Sequence, residues 1–263
     1  MSGGALNGWR CDTEQMFWSP LARDVILVSG PDALTYLHSQ VSQDLRPLPV
    51  GASTWAFLLQ PTGRVDALVR ITRRGDDELA LDTDVGFGEA VAARVLRFRI
   101  RVRAEVEPIA GHWIAVRPEP GETNVPELPG AVAAWGGGVD LFGEAPTPPA
   151  CREAGIAELE SARIEAGWPA MGSEIIPGET IPAELGLNDV AVSFTKGCYP
   201  GQELVERMDS RASTAPRLLR VVEVAPGTGS GDDYLVDGEV AGTVTSVQGT
   251  RALALVKRSF VER

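Results

Sequence analysis

Hydrophobic residues recur along this chain in two rhythms: a period near 3.6 that marks a helix face, and a period of 2 that marks a strand. The first compact apolar run, Asp24 to Ser29 (DVILVS), predicts a short buried strand. Gly30 and Pro31 then open a helix, because proline suits a first turn. Leu34, Leu37, His38 and Val41 share one face of that helix as far as about Leu45. Thr54 to Gln60 and Arg64 to Thr72 predict two strands joined by Pro61-Thr62-Gly63. Arg74-Gly75-Asp76-Asp77 turns the chain into a third, Glu78 to Leu81. A helix follows over about Phe87 to Leu96. Strand, helix, three antiparallel strands and helix make an α+β sandwich.

From Arg97 to Glu107 the alternation is strict. Phe98, Ile100, Val102, Ala104 and Val106 fall on one face, and Arg97, Arg99, Arg101 and Arg103 on the other. A strand here would set four guanidinium groups in a row, roughly 7 Å apart. Such a row suits either a solvated face paired with acidic neighbours or a strip that holds a polyanion. Pro118 to Pro149 is rich in proline and glycine but keeps recurring apolar residues, including a short strand near Ala131 to Trp135. It reads as a loop-rich crossing between two lobes, with a boundary near 108–118. A helix from about Ala150 to Ala166 ends at Gly167, a residue type that suits the turn after a helix. Beyond residue 215 the runs LLRVVEV, YLV, EVAGTVTSV and ALALV predict an antiparallel meander over 216–263, with Asp237-Gly238 as a hairpin turn.

Composition narrows the function classes. The chain has 263 residues, of which 44% are hydrophobic and 23% charged, as in ordinary globular proteins. Its net charge of -12 opposes a general electrostatic grip on nucleic acid or an anionic membrane. No apolar run approaches the roughly 20 residues needed to span a bilayer, and the N-terminus lacks the basic and apolar regions of a secretory signal. Cys11, Cys151 and Cys198 are unclustered and odd in number, which points to thiols in a reducing, cytoplasmic compartment. His38 and His112 are not spaced with cysteines as zinc ligands are, and no phosphate-cradling or dinucleotide-binding glycine loop is present.

The densest chemistry lies at Lys196 to Glu203, KGCYPGQE. Two glycines and a proline shape a stiff loop around Cys198. Lys196, two residues upstream, is a cation of the kind that favours a thiolate. This run resembles the signature of the YgfZ-type folate-binding proteins, relatives of the glycine-cleavage T-protein that assist assembly or repair of iron–sulfur clusters. A second likeness is Arg163-Ile164-Glu165-Ala166-Gly167, similar to a T-protein segment whose arginine lines the folate site. Weaker echoes, SGPDALTYLHSQVSQDL and LLQPTGRV, extend the resemblance from about Asp24 to the end of the chain.

The resemblance implies a multi-lobe T-protein-like α/β sandwich over 1–215 and a small C-terminal antiparallel β-barrel over 216–263. It implies Cys198 as a reactive thiol and transient cluster contact, assisted by Lys196. It also implies a tetrahydrofolate or other folate ligand held by Arg163, Tyr199, Gln202, Glu203 and Trp168. The partners implied are iron–sulfur enzymes or cluster carriers, and one copy of each site residue would let a monomer suffice. Two features depart from the T-protein pattern. LALDTDVGF offers Asp82 and Asp84 without the Asn-Ala pair that precedes the transferase's catalytic Asp, and Gly143-Glu144 is the only trace of its folate-binding glutamate segment. A tetrahydrofolate-dependent aminomethyl or one-carbon transferase and a ligand-free interaction scaffold stand as the alternatives.

Overall fold

The computed structural model describes residues 15–125, 128–210 and 215–261. Strands β1 (Met16–Leu21) and β2 (Arg23–Ser29) lead into α1 (Ala33–Gln40). Next come β3 (Ser53–Leu59), β4 (Val65–Arg73), β5 (Glu78–Asp84), α2 (Gly88–Arg97), β6 (Glu105–Ile109) and β7 (His112–Pro118). The crossing holds β8 (Ala131–Ala133), β9 (Val139–Gly143) and β10 (Arg152–Glu153), ahead of α3 (Ile156–Glu165) and the short helices α4 (Pro182–Leu185) and α5 (Asn188–Ala191). The last part is α6 (Gln202–Ser210), β11 (Arg217–Glu223), β12 (Asp233–Val236), β13 (Glu239–Gln248), β14 (Arg251–Lys257) and α7 (Arg258–Val261).

These strands form three sheets, ordered β3-β4-β5-β2-β6, β10-β1-β7-β9-β8 and β11-β14-β13-β12. In the first sheet β4 is buried almost throughout, since Val65, Ala67, Val69 and Ile71 belong to the main core while Arg70 turns toward the second sheet. Cross-strand register then puts Trp55, Arg70 and Asp82 in one row of that sheet. The third sheet packs Leu219 and Leu253 on Ile164 of α3, so that helix couples it to the rest. It is a four-stranded antiparallel meander with β11 and β12 at its edges, and no pairing among the described residues closes it into the expected barrel.

Three local expectations change, and one strand is new. Helix α1 stops at Gln40, because Val41 adopts an extended backbone. The strand expected from Arg97 does not form there: α2 runs through Arg97, a loop follows, and only Glu105–Ile109 pairs with β2. The row of four guanidinium groups therefore does not exist. The helix expected from Ala150 begins at Ile156, after the bridge β10. Finally, β1 is a strand ahead of the first one expected; its Pro20 lies past the β10 pairing, which covers only Phe17 and Trp18, so the missing proline N–H costs no ladder bond.

Candidate functional site

The Cys198 loop is held at both ends by packing that its sequence dictates. At its start, the Lys196 side chain is buried and its ammonium donates to the carbonyl oxygens of His38, Val41 (2.6 Å) and Gln43 (3.1 Å). These carbonyls lie in or just past the last turn of α1, where helix geometry leaves oxygens without partners and favours a cation. Lys196 thus closes the end of α1. At the other end, Gly201 has φ +83°, and a Cβ there would stand 2.5 Å from the Gln60 carbonyl oxygen and 2.9 Å from Gly63 Cα. Only glycine lets the loop sit this close on the β3–β4 turn, and Leu204 of α6 fills the space left at Gly63. Between these two fixed ends the Cys198 thiol is exposed.

Neighbouring residues divide between core and surface. Tyr199 is buried in the main core, 5.1 Å from ring centroid to the Lys196 ammonium. Burial pushes its hydroxyl up to about 12, and that hydroxyl has no hydrogen-bond partner among the described residues. Burial also draws Lys196 down to about 8, against the attraction of Asp44. Gln202 donates to Glu206, and exposed Glu203 pairs with Arg207 at 2.6 Å, so both serve the outer face of α6. The His38 ring accepts a hydrogen bond from the Leu45 N–H at Nδ1 (3.4 Å), and burial lowers its pKa, which suits that neutral acceptor role. Cys11 lies outside the described residues.

Arg163 and Trp168 stand apart from this loop. The Arg163 guanidinium is buried and donates to Glu160, to Glu174 (2.9 Å), to the Trp168 carbonyl (2.5 Å) and to Ser246 Oγ of β13 (2.7 Å). Ser246 in turn donates to Glu174 at 2.6 Å, so the cluster ties α3 to the third sheet. Trp168 packs on Trp55, with ring centroids 4.7 Å apart and planes at 58°. Most of the side chains expected to hold folate have partners within the chain: Glu160, Glu174, the Trp168 carbonyl and Ser246 take the Arg163 fork, Tyr199 packs in the core, and Gln202 and Glu203 pair along α6.

Where the sheets meet, a second charged centre was missed in the sequence. Arg70 is fully buried and binds Asp82 through two nitrogens (2.9 and 3.1 Å) and Asp140 at 2.7 Å. It stacks between Trp55 and Trp113, at 5.4 and 4.9 Å from their centroids. Arg23 pairs with Asp82 and Asp84, and Arg117 with Asp140 at 2.8 Å. Asp84 also accepts the Met171 N–H at 2.8 Å. The signal was present as single arginines inside apolar runs, Arg70 in VDALVRITR and Arg117 in HWIAVRP. Asp82 and Asp84, the two carboxylates nearest in sequence to a transferase's catalytic Asp, are thus engaged by arginines.

The α+β frame of three sheets is of the T-protein-like fold class. The chain superposes on the glycine cleavage system aminomethyltransferase T from Bartonella henselae with a TM-score of 0.73, at 18% identity, over 94% of this chain and 79% of that one. No family model matches. In sequence it is 27% identical to the human mitochondrial iron–sulfur cluster assembly factor IBA57, over 89% of this chain and 75% of that protein. It is 25% identical to the mitochondrial IBA57 homolog of Phaeosphaeria nodorum, over 80% of this chain and 56% of that protein, so it spans little more than half of this fungal relative. The chain is thus similar in sequence to the IBA57 assembly factors and in fold to a T-protein, which is consistent with the YgfZ-type, T-protein-like family. No helix among the described residues is long and apolar enough to cross a membrane.

Proposed function

We propose that the protein assists the maturation of iron–sulfur proteins, and that Cys198 is the group it presents to them. The observation that carries this reading is an exposed thiol on a loop fixed at both ends, by Lys196 on α1 and by Gly201 on the β3–β4 turn. A fixed loop holds the sulfur in one place and lowers the ordering cost when a partner docks. Phe194, also exposed, offers apolar surface four residues away. The similarity to the IBA57 iron–sulfur cluster assembly factors supports the same reading. Chemically, the Cys198 sulfur would exchange with one thiolate ligand on an iron of the cluster being delivered: the new iron–sulfur bond forms as the old one breaks, and the Cys198 proton passes to the departing thiolate, so charge and oxidation state are unchanged. Among the described residues no cluster of three or more metal-ligating side chains stands ready, so the remaining ligands belong to the partner.

Tetrahydrofolate is the ligand the resemblance implies, and the polar groups of Arg163, Gln202 and Glu203 named for it are here taken by other residues of the chain. Two measurements test the proposal. Cys198→Ser should fold as wild type and fail to restore iron–sulfur enzyme activities in a strain lacking the protein; full rescue overturns the reading. Calorimetric titration with tetrahydrofolate and its polyglutamates separates a folate-dependent factor from a scaffold that works through the thiol alone.

A further inference from the structure

The segment from Leu96 to Arg103 carries an unusual surface. On a chain of net charge -12, it brings together exposed Leu96, Phe98 and Ile100, the last 76% accessible, with four arginines. Arg97 and Arg101 make no ion pair among the described residues, Arg99 donates only to the Ala104 carbonyl, and Arg103 meets Asp32 while staying exposed. Arg101 has φ 58°, a left-handed conformation that non-glycine residues seldom adopt and that often marks functional segments. Beside this segment lie two hollows of about 380 and 330 Å³ that share Asp66, Arg94 and Arg97. The first has an apolar wall of Phe87, Ala90 and Val91, and the second reaches Gln60, Pro61 and Thr62. That turn is the one on which Gly201 of the Cys198 loop packs.

We infer that this face, from Leu96–Arg103 to the β3–β4 turn, docks an acidic segment of a partner protein that carries an apolar anchor. Unpaired arginines steer and register carboxylates. The neighbouring alanine- and phenylalanine-lined hollow accepts an apolar side chain, the combination typical of protein interfaces. A membrane or a nucleic acid presents a long anionic surface, which the overall negative charge of the chain repels; a short acidic segment meets only the local basic patch. The inference rests on the proposed role of Cys198, since docking here would bring a client close to the turn that supports the thiol.

The test uses the full chain and a short fluorescent peptide of repeating Glu-Glu-Leu, followed by anisotropy. Wild type should bind it, lose affinity as salt rises, and show no binding to the Lys-Lys-Leu counterpart. Arg97→Glu combined with Arg101→Glu, both on exposed positions, should weaken binding at least about tenfold with an unchanged circular dichroism spectrum. Phe98→Ser with Ile100→Ser should also weaken it, without removing the salt dependence. Unchanged affinity in the arginine variant, equal binding of the basic peptide, no detectable peptide binding by wild type, or binding of phosphatidylserine vesicles or RNA in place of the peptide would each overturn the assignment. Cys198→Ser separates the two readings: it should bind the peptide as wild type does while failing to rescue. Normal rescue by Cys198→Ser removes the thiol's role; normal rescue by the arginine variant removes only the docking surface.

Discussion

The centre between the sheets and the Cys198 loop both hold residue types that do chemistry, yet they use them in opposite ways. In the centre, Arg23, Arg70 and Arg117 face Asp82, Asp84 and Asp140, with every one of these side chains but Asp84 nearly fully buried, and aromatic rings cover Arg70 on both sides. Each charge is compensated by the protein itself, so the groups are structural. In the loop, one cation is also buried and satisfied, but it is satisfied by the backbone of α1, and what it stabilises is the placement of an exposed sulfur. Charged side chains in a T-protein-like frame therefore do not by themselves mark a reactive centre; whether their charges are already paired within the protein does.

Breaking the centre should have the largest effect. Asp140→Ala leaves Arg70 and Arg117 buried without a shared counter-charge, and removing one partner of a buried pair costs about 3–5 kcal/mol. Urea unfolding should show that loss; a change below about 1 kcal/mol would mean that water reaches the guanidinium groups. Lys196→Met comes next. It leaves the carbonyls of His38, Val41 and Gln43 without their donor and should cost about 2–4 kcal/mol. The same residue carries a pH signature. Its folded pKa of about 8 lies below the ordinary 10.5, so between those values the unfolded chain binds more protons than the folded one. Stability from this group is therefore lowest below pH 8 and rises between pH 8 and 10.5. Lys196→Met should remove that rise, which denaturation across the pH range would read directly.

Much of this contrast was legible in the sequence, and its limits have physical causes. The apolar runs of β4 and β5, bounded by Pro61-Thr62-Gly63 and Arg74-Gly75-Asp76-Asp77, located the first sheet, because strands buried on both faces read as near-continuous apolar runs between turn residues. KGCYPGQE located the thiol, since two glycines and a proline around a cysteine can only make a tight loop. Partner choice was not legible. The helix-end carbonyls that take Lys196 sit more than 150 residues earlier in the chain, and the acceptors that fill Arg163 lie partly on β13. The run of alternating arginines misled for a related reason: period 2 permits a strand, but a strand needs a neighbour, and β2 offers pairing only from Glu105 onward.

The smallest expected effect tests the border between the two regions most finely. Tyr199 belongs to the loop by sequence and to the core by position, and its buried hydroxyl has no partner among the described residues. An unsatisfied buried hydroxyl costs free energy that its removal returns, so Tyr199→Phe should be neutral or stabilising by up to about 1 kcal/mol. It should leave rescue of iron–sulfur enzymes unchanged, whereas Cys198→Ser, on an exposed atom, should change stability by less than about 0.5 kcal/mol and abolish rescue. A destabilised Tyr199→Phe would show that the hydroxyl has a partner in solution, either an ordered water or a bound molecule. Repeating the unfolding measurement with tetrahydrofolate tells these apart: a folate contact would make the wild-type advantage grow with ligand concentration, and a structural water would leave it constant.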